Sequence, residues 1–412
     1  MKIHCSRIPL LLILFLSLNF VKAQEKETLS LDRAIKMVID NNPGIQASDA
    51  DIEISVAGVK KAKSAYYPQV SSRIIVPFIG RESGFYLDQL IWDFGRTSQR
   101  VKSSKAVLES SKFKKARTRN DLILDTIIAY YTVLSDVHIL KSLEKRVVEA
   151  EKRLERTTRF FQSEKVPELE VTRSEAELMD VKLELIKAKN NLEISRFNLK
   201  TLMGAEDEFD FALEDVSGYS KTTAALEESI DMALRTRPEL KDLNAQEVYT
   251  KANLQAAKKE FYPEIFGRTA YRFEGEGAQT PGFIAGVGVR FPIFEGFSRF
   301  GKVQEAKAGI TLVKSETQIV RTNIVREVKE TFLDLKFAEE NIGLRLKSRE
   351  SAEKTLLLAM ERSRQGRASE VELAEAESIY ETAKAKYMQA LYTYRINAAR
   401  LKRATGGIYE PR

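Results

Sequence analysis

The sequence predicts a mainly α-helical fold with a small β part, built from two structural repeats per chain. Three observations carry that reading. The 412-residue chain is written twice. Apolar seams at heptad-like spacing run through segments too long for a globular domain. Each half also holds strand-like segments of alternating polarity between its helices.

Paired motifs define the repeat. Leu31-Asp32-Arg33-Ala34-Ile35, followed by Asn42-Pro43, recurs as Leu226-Glu227-Glu228-Ser229-Ile230, followed by Arg237-Pro238. Tyr67-Pro68 recurs as Tyr262-Pro263 at the same spacing, and Ile91-Trp92-Asp93 as Ile293-Phe294-Glu295. Glu168-Leu169-Glu170-Val171 matches Glu370-Val371-Glu372-Leu373, and Leu202-Met203-Gly204 matches Ala404-Thr405-Gly406. The register holds apart from a short insertion between Pro263 and Ile293. A unit of about 200 residues is long for a stacked solenoid. The predicted organisation is a signal peptide over 1–23, a first helix–hairpin–helix repeat over 24–204, an acidic linker over 205–223, a second repeat over 224–406 and a tail over 407–412.

The chain opens with basic Lys2 and Arg7, an apolar run over 8–20 and the small-x-small site Val21-Lys22-Ala23. This is the layout of a secretory signal peptide, and the run is short against the roughly 20 residues of a bilayer span. Cleavage after Ala23 is expected. Cys5, the only cysteine, precedes the run, so the mature chain is expected to carry no lipid anchor, disulfide or thiolate metal site.

Residues 30–66 read as a helix with a break at Asn42-Pro43. Pro68 ends it, because the residue before proline is pushed out of the helical region. Two short strand-like segments follow. A helix over 97–162, a turn over 163–167 and a returning helix to Met203 complete the unit, with Gly204 as C-cap. The second unit repeats this as helix 224–261, strands 265–273 and 283–293, helix 298–364, a turn and helix 369–404. At 1.5 Å per residue the longest helices reach about 100 Å. No stretch after the signal peptide reads as long and apolar enough for a transmembrane helix.

The seams explain how such helices pack. One runs through Leu178, Val181, Leu185, Ala188, Leu192, Ser195, Leu199 and Leu202, another through Leu373, Ala376, Tyr380, Ala383, Tyr387, Ala390 and Tyr394. In the first long helix, Ile123, Ile127, Tyr130, Leu134 and Val137 form one seam, with Leu124, Ile128 and Tyr131 beside it. A helix with two seams has neighbours on both sides, as in a barrel of helices. Taken alone, the seams also fit an antiparallel coiled coil.

The strands point to a membrane. Val70, Ser72, Ile74, Val76 and Phe78 alternate with Ser71, Arg73 and Ile75. Ile265, Thr269, Tyr271 and Phe273 alternate with Phe266, Arg268 and Arg272, and Phe283, Ala285, Val287, Val289 and Phe291 with Ile284, Gly286, Gly288 and Arg290. Membrane strands of about 10 residues face apolar side chains outward and polar or small ones inward. Arg73, Arg268, Arg272 and Arg290 are therefore the predicted pore-facing residues, and Trp92 and Phe294 the predicted interfacial aromatics. A globular sheet alternates too, so the helices flanking each hairpin carry the argument. Four strands cannot close a barrel, and an open edge is not tolerated in lipid. Three chains would supply twelve strands, enough for an aqueous passage. The expected architecture is a long-helix α-barrel plus a transmembrane β-barrel completed by trimerisation.

Net charge is +7 and charged residues make up 30% of the chain, with signs interleaved as in Glu144-Lys145-Arg146. That marks solvated helix faces, whereas a nucleic-acid binder clusters positive charge. His138, the sole histidine after the signal peptide, is expected to pack on a helix. No nucleophile elbow, P-loop or metal-ligand spacing is present, so neither an enzyme nor a cofactor is expected.

With the doubled layout and the paired Tyr-Pro motifs, two further segments carry a family resemblance. Leu90-Ile91-Trp92-Asp93-Phe94-Gly95-Arg96, with Pro292-Ile293-Phe294-Glu295-Gly296, resembles a strand-to-helix segment ending in an acidic residue and glycine. Gln365-Gly366-Arg367-Ala368-Ser369-Glu370-Val371-Glu372-Leu373 resembles a Gly-x-x-x-x-x-Asp helical turn. In order and duplication these are similar to the TolC-like outer-membrane efflux proteins, over essentially the whole mature chain. The resemblance implies a homotrimeric tunnel across periplasm and outer membrane, for efflux or type I secretion. It implies a periplasmic membrane-fusion adaptor docking at the tips, Glu164, Lys165, Val166, Pro167 and Gly366, Arg367, Ala368, Ser369. An inner-membrane pump or ABC exporter would supply energy. The linker over 206–215 would join an equatorial region, and Glu372 and Glu375 would form the acidic ring of the periplasmic entrance. Glu170 and Glu372 stand where the family has aspartate. Glu164 replaces a glycine, where positive φ costs a side-chain-bearing residue more. A secreted or periplasmic coiled-coil scaffold without a barrel is the competing reading; it predicts extraction without detergent.

Overall fold

The computed structural model describes residues 27–73, 83–205, 211–215, 221, 225–272 and 282–407. Strand β1 (Glu27–Leu29) precedes helix α1 (Leu31–Asn41), where the Ser30 hydroxyl caps the first turn by accepting from the Arg33 N–H at 3.3 Å. Helix α2 (Pro43–Lys63) starts on proline, which suits the first helical position because an N–H there has no intrahelical acceptor. Strands β2 (Gln69–Arg73) and β3 (Gly84–Trp92), then helices α3 (Arg96–Gln162) and α4 (Glu168–Met203), complete the first repeat. After strand β4 (Phe211–Leu213) come helices α5 (Leu226–Thr236) and α6 (Pro238–Lys259), strands β5 (Glu264–Arg272) and β6 (Gly282–Arg290), and helices α7 (Ser298–Arg364) and α8 (Glu370–Ala404). Mainly helical with a small sheet part, the fold agrees with the sequence. The strand expected over 283–293 ends at Arg290, because Pro292 has no N–H for the ladder. Ile74, Val76, Phe78 and Phe273 lie outside the described residues.

The repeat is visible in individual bonds. Asn42 accepts from the Gly44 N–H at 2.8 Å and donates through Nδ2 to the Leu202 carbonyl at 3.0 Å, tying the start of α2 to the end of α4. At the equivalent place Arg237 donates through Nη1 to the Ala404 carbonyl at 3.0 Å. Different side chains therefore satisfy the same orphan carbonyl of a helix C-terminus. Gly204 and Gly406 follow at φ 61° and 75°. A Cβ on Gly406 would sit 2.4 Å from the Thr236 hydroxyl, so both conformation and space require glycine there.

Both long helices have 67 residues, which gives about 100 Å at 1.5 Å per residue. Near the strands α3 is held by α6, through Ser103–Asn253 and Ser110–Asp242, and by α2, through Ser55–Ser111. Farther out it is held by α4, through Arg146–Glu184, and by α8, through Lys145–Glu377. By contrast α7 packs on α5, α6 and α8, and leaves Leu312, Ile319, Leu333, Phe337, Leu344 and Leu358 exposed. Met179, Leu183, Ile186 and Phe197 on α4 are exposed as well.

Two apolar clusters hold the repeats, one under α1, α3 and α4, the other under α5, α7 and α8. Two expectations fail in the first. α3 does contain an 18-residue stretch apolar enough to cross a membrane. Its Ile123, Ile127, Tyr130, Tyr131, Val133 and Leu134 are instead buried in the protein core. Val137 is 39% exposed, and Val133 is buried in its place. The apolar cover there is the parallel pair β1–β4, which the sequence reading missed. Tyr130 anchors it, donating to the Leu29 carbonyl at 2.9 Å and lying 2.8 Å from the Glu214 carbonyl. Asp215 then accepts from the Tyr392 hydroxyl at 2.7 Å and pairs with His138 at 3.2 Å, so His138 has a packing role. Replacing Tyr130 by phenylalanine should cost about 1–3 kcal/mol. Amide exchange in residues 211–213 should accelerate, and exchange as slow as in the wild type would refute the anchor.

Candidate functional site

The sheet sits at one end of the long helices, and its strand order is β2-β3-β5-β6, antiparallel throughout. Because partners in an antiparallel register share a face, the pairing assigns every side chain. Arg73, Gly84, Arg272 and Gly282 are at one level, and Gln69, Asp88, Arg268 and Gly286 at another. Glu264 and Arg290 are opposite each other nearer the helices. All four predicted arginines therefore lie on one face. The other face carries Val70, Phe85, Leu87, Tyr271, Phe283, Val287 and Val289, all exposed. A contiguous apolar face of this kind is not left to water.

The charged face is internally ordered. Arg268 donates to both Asp88 oxygens, at 2.5 and 3.0 Å. Glu264 pairs with Arg96 and lies 3.6 Å from Arg290. The guanidinium groups of Arg268 and Arg290 sit 5.5 and 5.1 Å from the Phe266 ring centre.

Aromatic side chains mark the strand-to-helix junction. Trp92, the last residue of β3, is 56% exposed and packs edge-on to Phe94, which stacks on Tyr262 at 5.3 Å. Phe294 does not sit at a strand end as expected, since β6 stops four residues earlier; it packs edge-on to Phe297 at 5.6 Å. Phe94, Tyr262, Phe297 and Phe300 were missed in the sequence, although Phe94 and Tyr262 fell within the quoted motifs. Each junction turns through two left-handed residues, Phe94-Gly95 and Gly296-Phe297. Asp93 then caps α3, accepting from the Gly95 and Thr97 N–H groups at 3.0 and 2.6 Å.

At the far end, Glu164 and Gly366 both adopt positive φ, 57° and 69°. The steric cost expected at Glu164 is therefore present in the first tip. Ser369 and Glu372 form a capping box: Ser369 accepts from the Glu372 N–H at 3.2 Å, and the Glu372 carboxylate accepts from the Ser369 N–H at 3.1 Å. The Ser-x-x-Glu spacing announces that role, and the sequence reading passed over it. Glu375 is exposed and lies within electrostatic reach of Arg153, which binds Glu149 at 2.6 Å. A hollow of about 370 Å³ between α3, α4 and α8 is lined by Asp136, Arg146, Glu184, Lys187, Lys386 and Gln389. Burial pushes the Asp136 carboxyl above its ordinary range. Ile139, on the same wall, is nine residues from Tyr130, so hollow and β1–β4 pair lie on opposite faces of α3. Among the described residues, no group of His, Cys, Asp or Glu could hold a metal ion.

Residues 229–407 match the family described as outer membrane efflux protein. The outer membrane protein TolC of Escherichia coli K12 is 20% identical over 405 residues, covering 90% of this chain and 80% of that protein. The CmeC outer membrane channel of Campylobacter jejuni superposes with a TM-score of 0.77 at 18% identity, over 92% of this chain and 86% of that one. VceC, an outer membrane protein of Vibrio cholerae, does so with a TM-score of 0.72 at 14% identity, over 92% and 97%.

Proposed function

We propose that this chain, whose second repeat matches the outer membrane efflux protein family, is the channel-tunnel of a tripartite efflux or type I secretion system. It gives a passive exit duct across the periplasm and the outer membrane. One observation carries the reading: a sheet with an exposed apolar face, a charged opposite face and two unpaired edges caps helices of about 100 Å. Lipid accepts the apolar face, and closure of β2 against β6 of the next copy removes the edges. An even number of antiparallel strands per chain keeps every closure antiparallel, so three copies make a twelve-stranded barrel. A coiled-coil scaffold in water gives no account of the apolar face.

The helices call for the same partner. Within the chain α3 has neighbours on both sides, whereas α7 and α4 keep apolar stripes uncovered. In a homotrimer, α7 meets α2 and α4 of the adjacent copy. The tips at 164–167 and 366–369 would meet a periplasmic adaptor, and an inner-membrane pump would drive transport. Glu375, and Glu372 beyond its capping role, would gather by threefold symmetry into an acidic entrance that favours cations.

The repeat supplies the test. Ser103 and Asn253 touch at 2.7 Å between α3 and α6. Their counterparts are Glu305 and Gly58, given the matches Trp92–Phe294 and Tyr67–Tyr262. Nothing lies within 4 Å of a Cβ placed on Gly58 in the single chain. The pair Gly58→Cys with Glu305→Cys should oxidise to a covalent trimer on a non-reducing gel. Monomers alone, from protein of monomeric mass in detergent, would overturn the proposal.

A further inference from the structure

We infer that the strand-to-helix junction binds anionic phospholipid headgroups through Lys63 and Lys258, in the leaflet nearer the helical tunnel. The inference rests on the barrel reading, which sets the apolar face of the sheet in lipid and the junction at its edge. Helices α2 and α6 both end at the sheet, at Lys63 and Lys259. Lys63 stands four residues before Tyr67, and Lys258 four before Tyr262, so the repeat puts the two lysines at equivalent positions. Both are exposed, and neither makes an ion pair with a described residue. The dipole of a helix C-terminus favours a lysine there but leaves its ammonium group free to meet an anion. The carboxylates of the junction are already committed. Asp93 caps α3, Glu260 is shared by Arg100 and Lys302, Glu264 by Arg96 and Arg290, and Glu295 holds Arg299.

The aromatic side chains set these helix ends against lipid. Trp92 is level with Ile265 and Val289 and so lies on the apolar face. Phe94 packs on Trp92 and stacks on Tyr262, and Lys259 donates to the Phe94 carbonyl. The end of α6 is thereby pinned beside the aromatics of the apolar face. Tyr67 and Tyr262 are exposed in the same band. Exposed tryptophan and tyrosine settle at the level of lipid headgroups, and a lysine stem runs along apolar surface to bring its ammonium group to a phosphate. One lysine near a lipid surface enriches anionic lipid about fivefold. Threefold closure sets six such lysines around the barrel, so the site is a collar and not a single pocket.

The test uses the full mature chain, its mass measured in detergent before reconstitution into phosphatidylcholine vesicles. Trp92 is the only tryptophan of the chain, so its fluorescence reports the lipid at the junction. A small share of the lipid is brominated, as phosphatidylglycerol in one series and phosphatidylcholine in the other. Brominated phosphatidylglycerol should quench the wild type as though enriched about fivefold, and the preference should fade as salt is raised. Lys63→Gln with Lys258→Gln should be quenched equally by both lipids, whereas Lys63→Arg with Lys258→Arg should keep the preference. Soluble glycerol phosphate in excess should leave the preference intact; its loss would assign the lysines to free phosphate and overturn the lipid site. A trimer quenched equally by both lipids, or a preference that survives in the glutamine variant, overturns the collar and leaves the barrel reading intact. Absence of a trimer, or of quenching by either lipid, overturns both.

Discussion

Val287→Arg is expected to abolish the folded oligomer. Val287 lies mid-strand in β6, is 72% exposed, and shares its face with Phe283, Ala285 and Val289. A barrel in lipid places this residue near the bilayer midplane, where arginine costs about 2–4 kcal/mol per copy. Three copies bring the sum to roughly 6–12 kcal/mol, comparable with the whole stability of many domains. The measurement is the fraction of chain recovered from outer membranes as a heat-dissociable trimer, expected to fall to background. Gly286→Ser is the companion variant. Gly286 lies on the charged face with open space around it, so this change should be tolerated. Normal trimer yield from Val287→Arg would mean that the apolar face does not meet lipid.

Arg237→Ala should destabilise the helical part by about 3–5 kcal/mol. Arg237 is 4% exposed, with Glu239 at 2.8 Å and Glu327 at 2.9 Å. Its removal strips the Ala404 carbonyl of its donor and leaves the Glu239 carboxylate partly buried, with Arg403 at 3.5 Å and Arg117 at 4.0 Å as its remaining partners. Burial pushes the Glu239 carboxyl up, but the hydrogen bonds and charge of Arg237, aided by Arg403, hold it below the ordinary glutamate range. A carboxyl held low in the folded state stabilises the protein above its unfolded pKa of about 4.3, and that contribution is lost as pH falls through the folded value. The wild type should therefore lose stability in that acid window, and Glu239→Gln should flatten the loss. Thermal unfolding followed by circular dichroism from pH 7 to 3 reads both effects. Equal melting of Arg237→Ala and wild type at pH 7 would dismiss the cluster as a stabilising element.

How far the sequence reaches differs from element to element. Helix α7 was read at its observed bounds, 298–364, because the second unit repeats the order of the first. Strand faces were legible because a period of two assigns Arg268 and Thr269 to opposite sides without knowledge of the partner strand. The duplication was legible as well, and it placed Arg237 opposite Asn42. That both side chains would reach the same carbonyl was not, because the bond joins residues more than 150 positions apart. The Ser369–Glu372 capping box was within reach of local rules and was passed over.

What the sequence by itself determined is therefore the set of elements, their lengths, their apolar faces and their repetition. All of these follow from backbone period and side-chain polarity within a few residues. Only the tertiary structure decided which faces are covered. Val137 continues the apolar seam read from the sequence and Val133 does not, yet Val133 is the buried one and Val137 is 39% exposed. The apolar stretch of α3 satisfies the composition of a membrane span, yet its Ile123, Ile127, Tyr130, Tyr131, Val133 and Leu134 are core, because α1, α4 and α8 pack on α3. Among the described residues none covers the apolar face of β6 or the exposed stripe of α7. Hydrophobic burial depends on area removed from water by whatever arrives, and what arrives is set by long-range packing that no local pattern encodes.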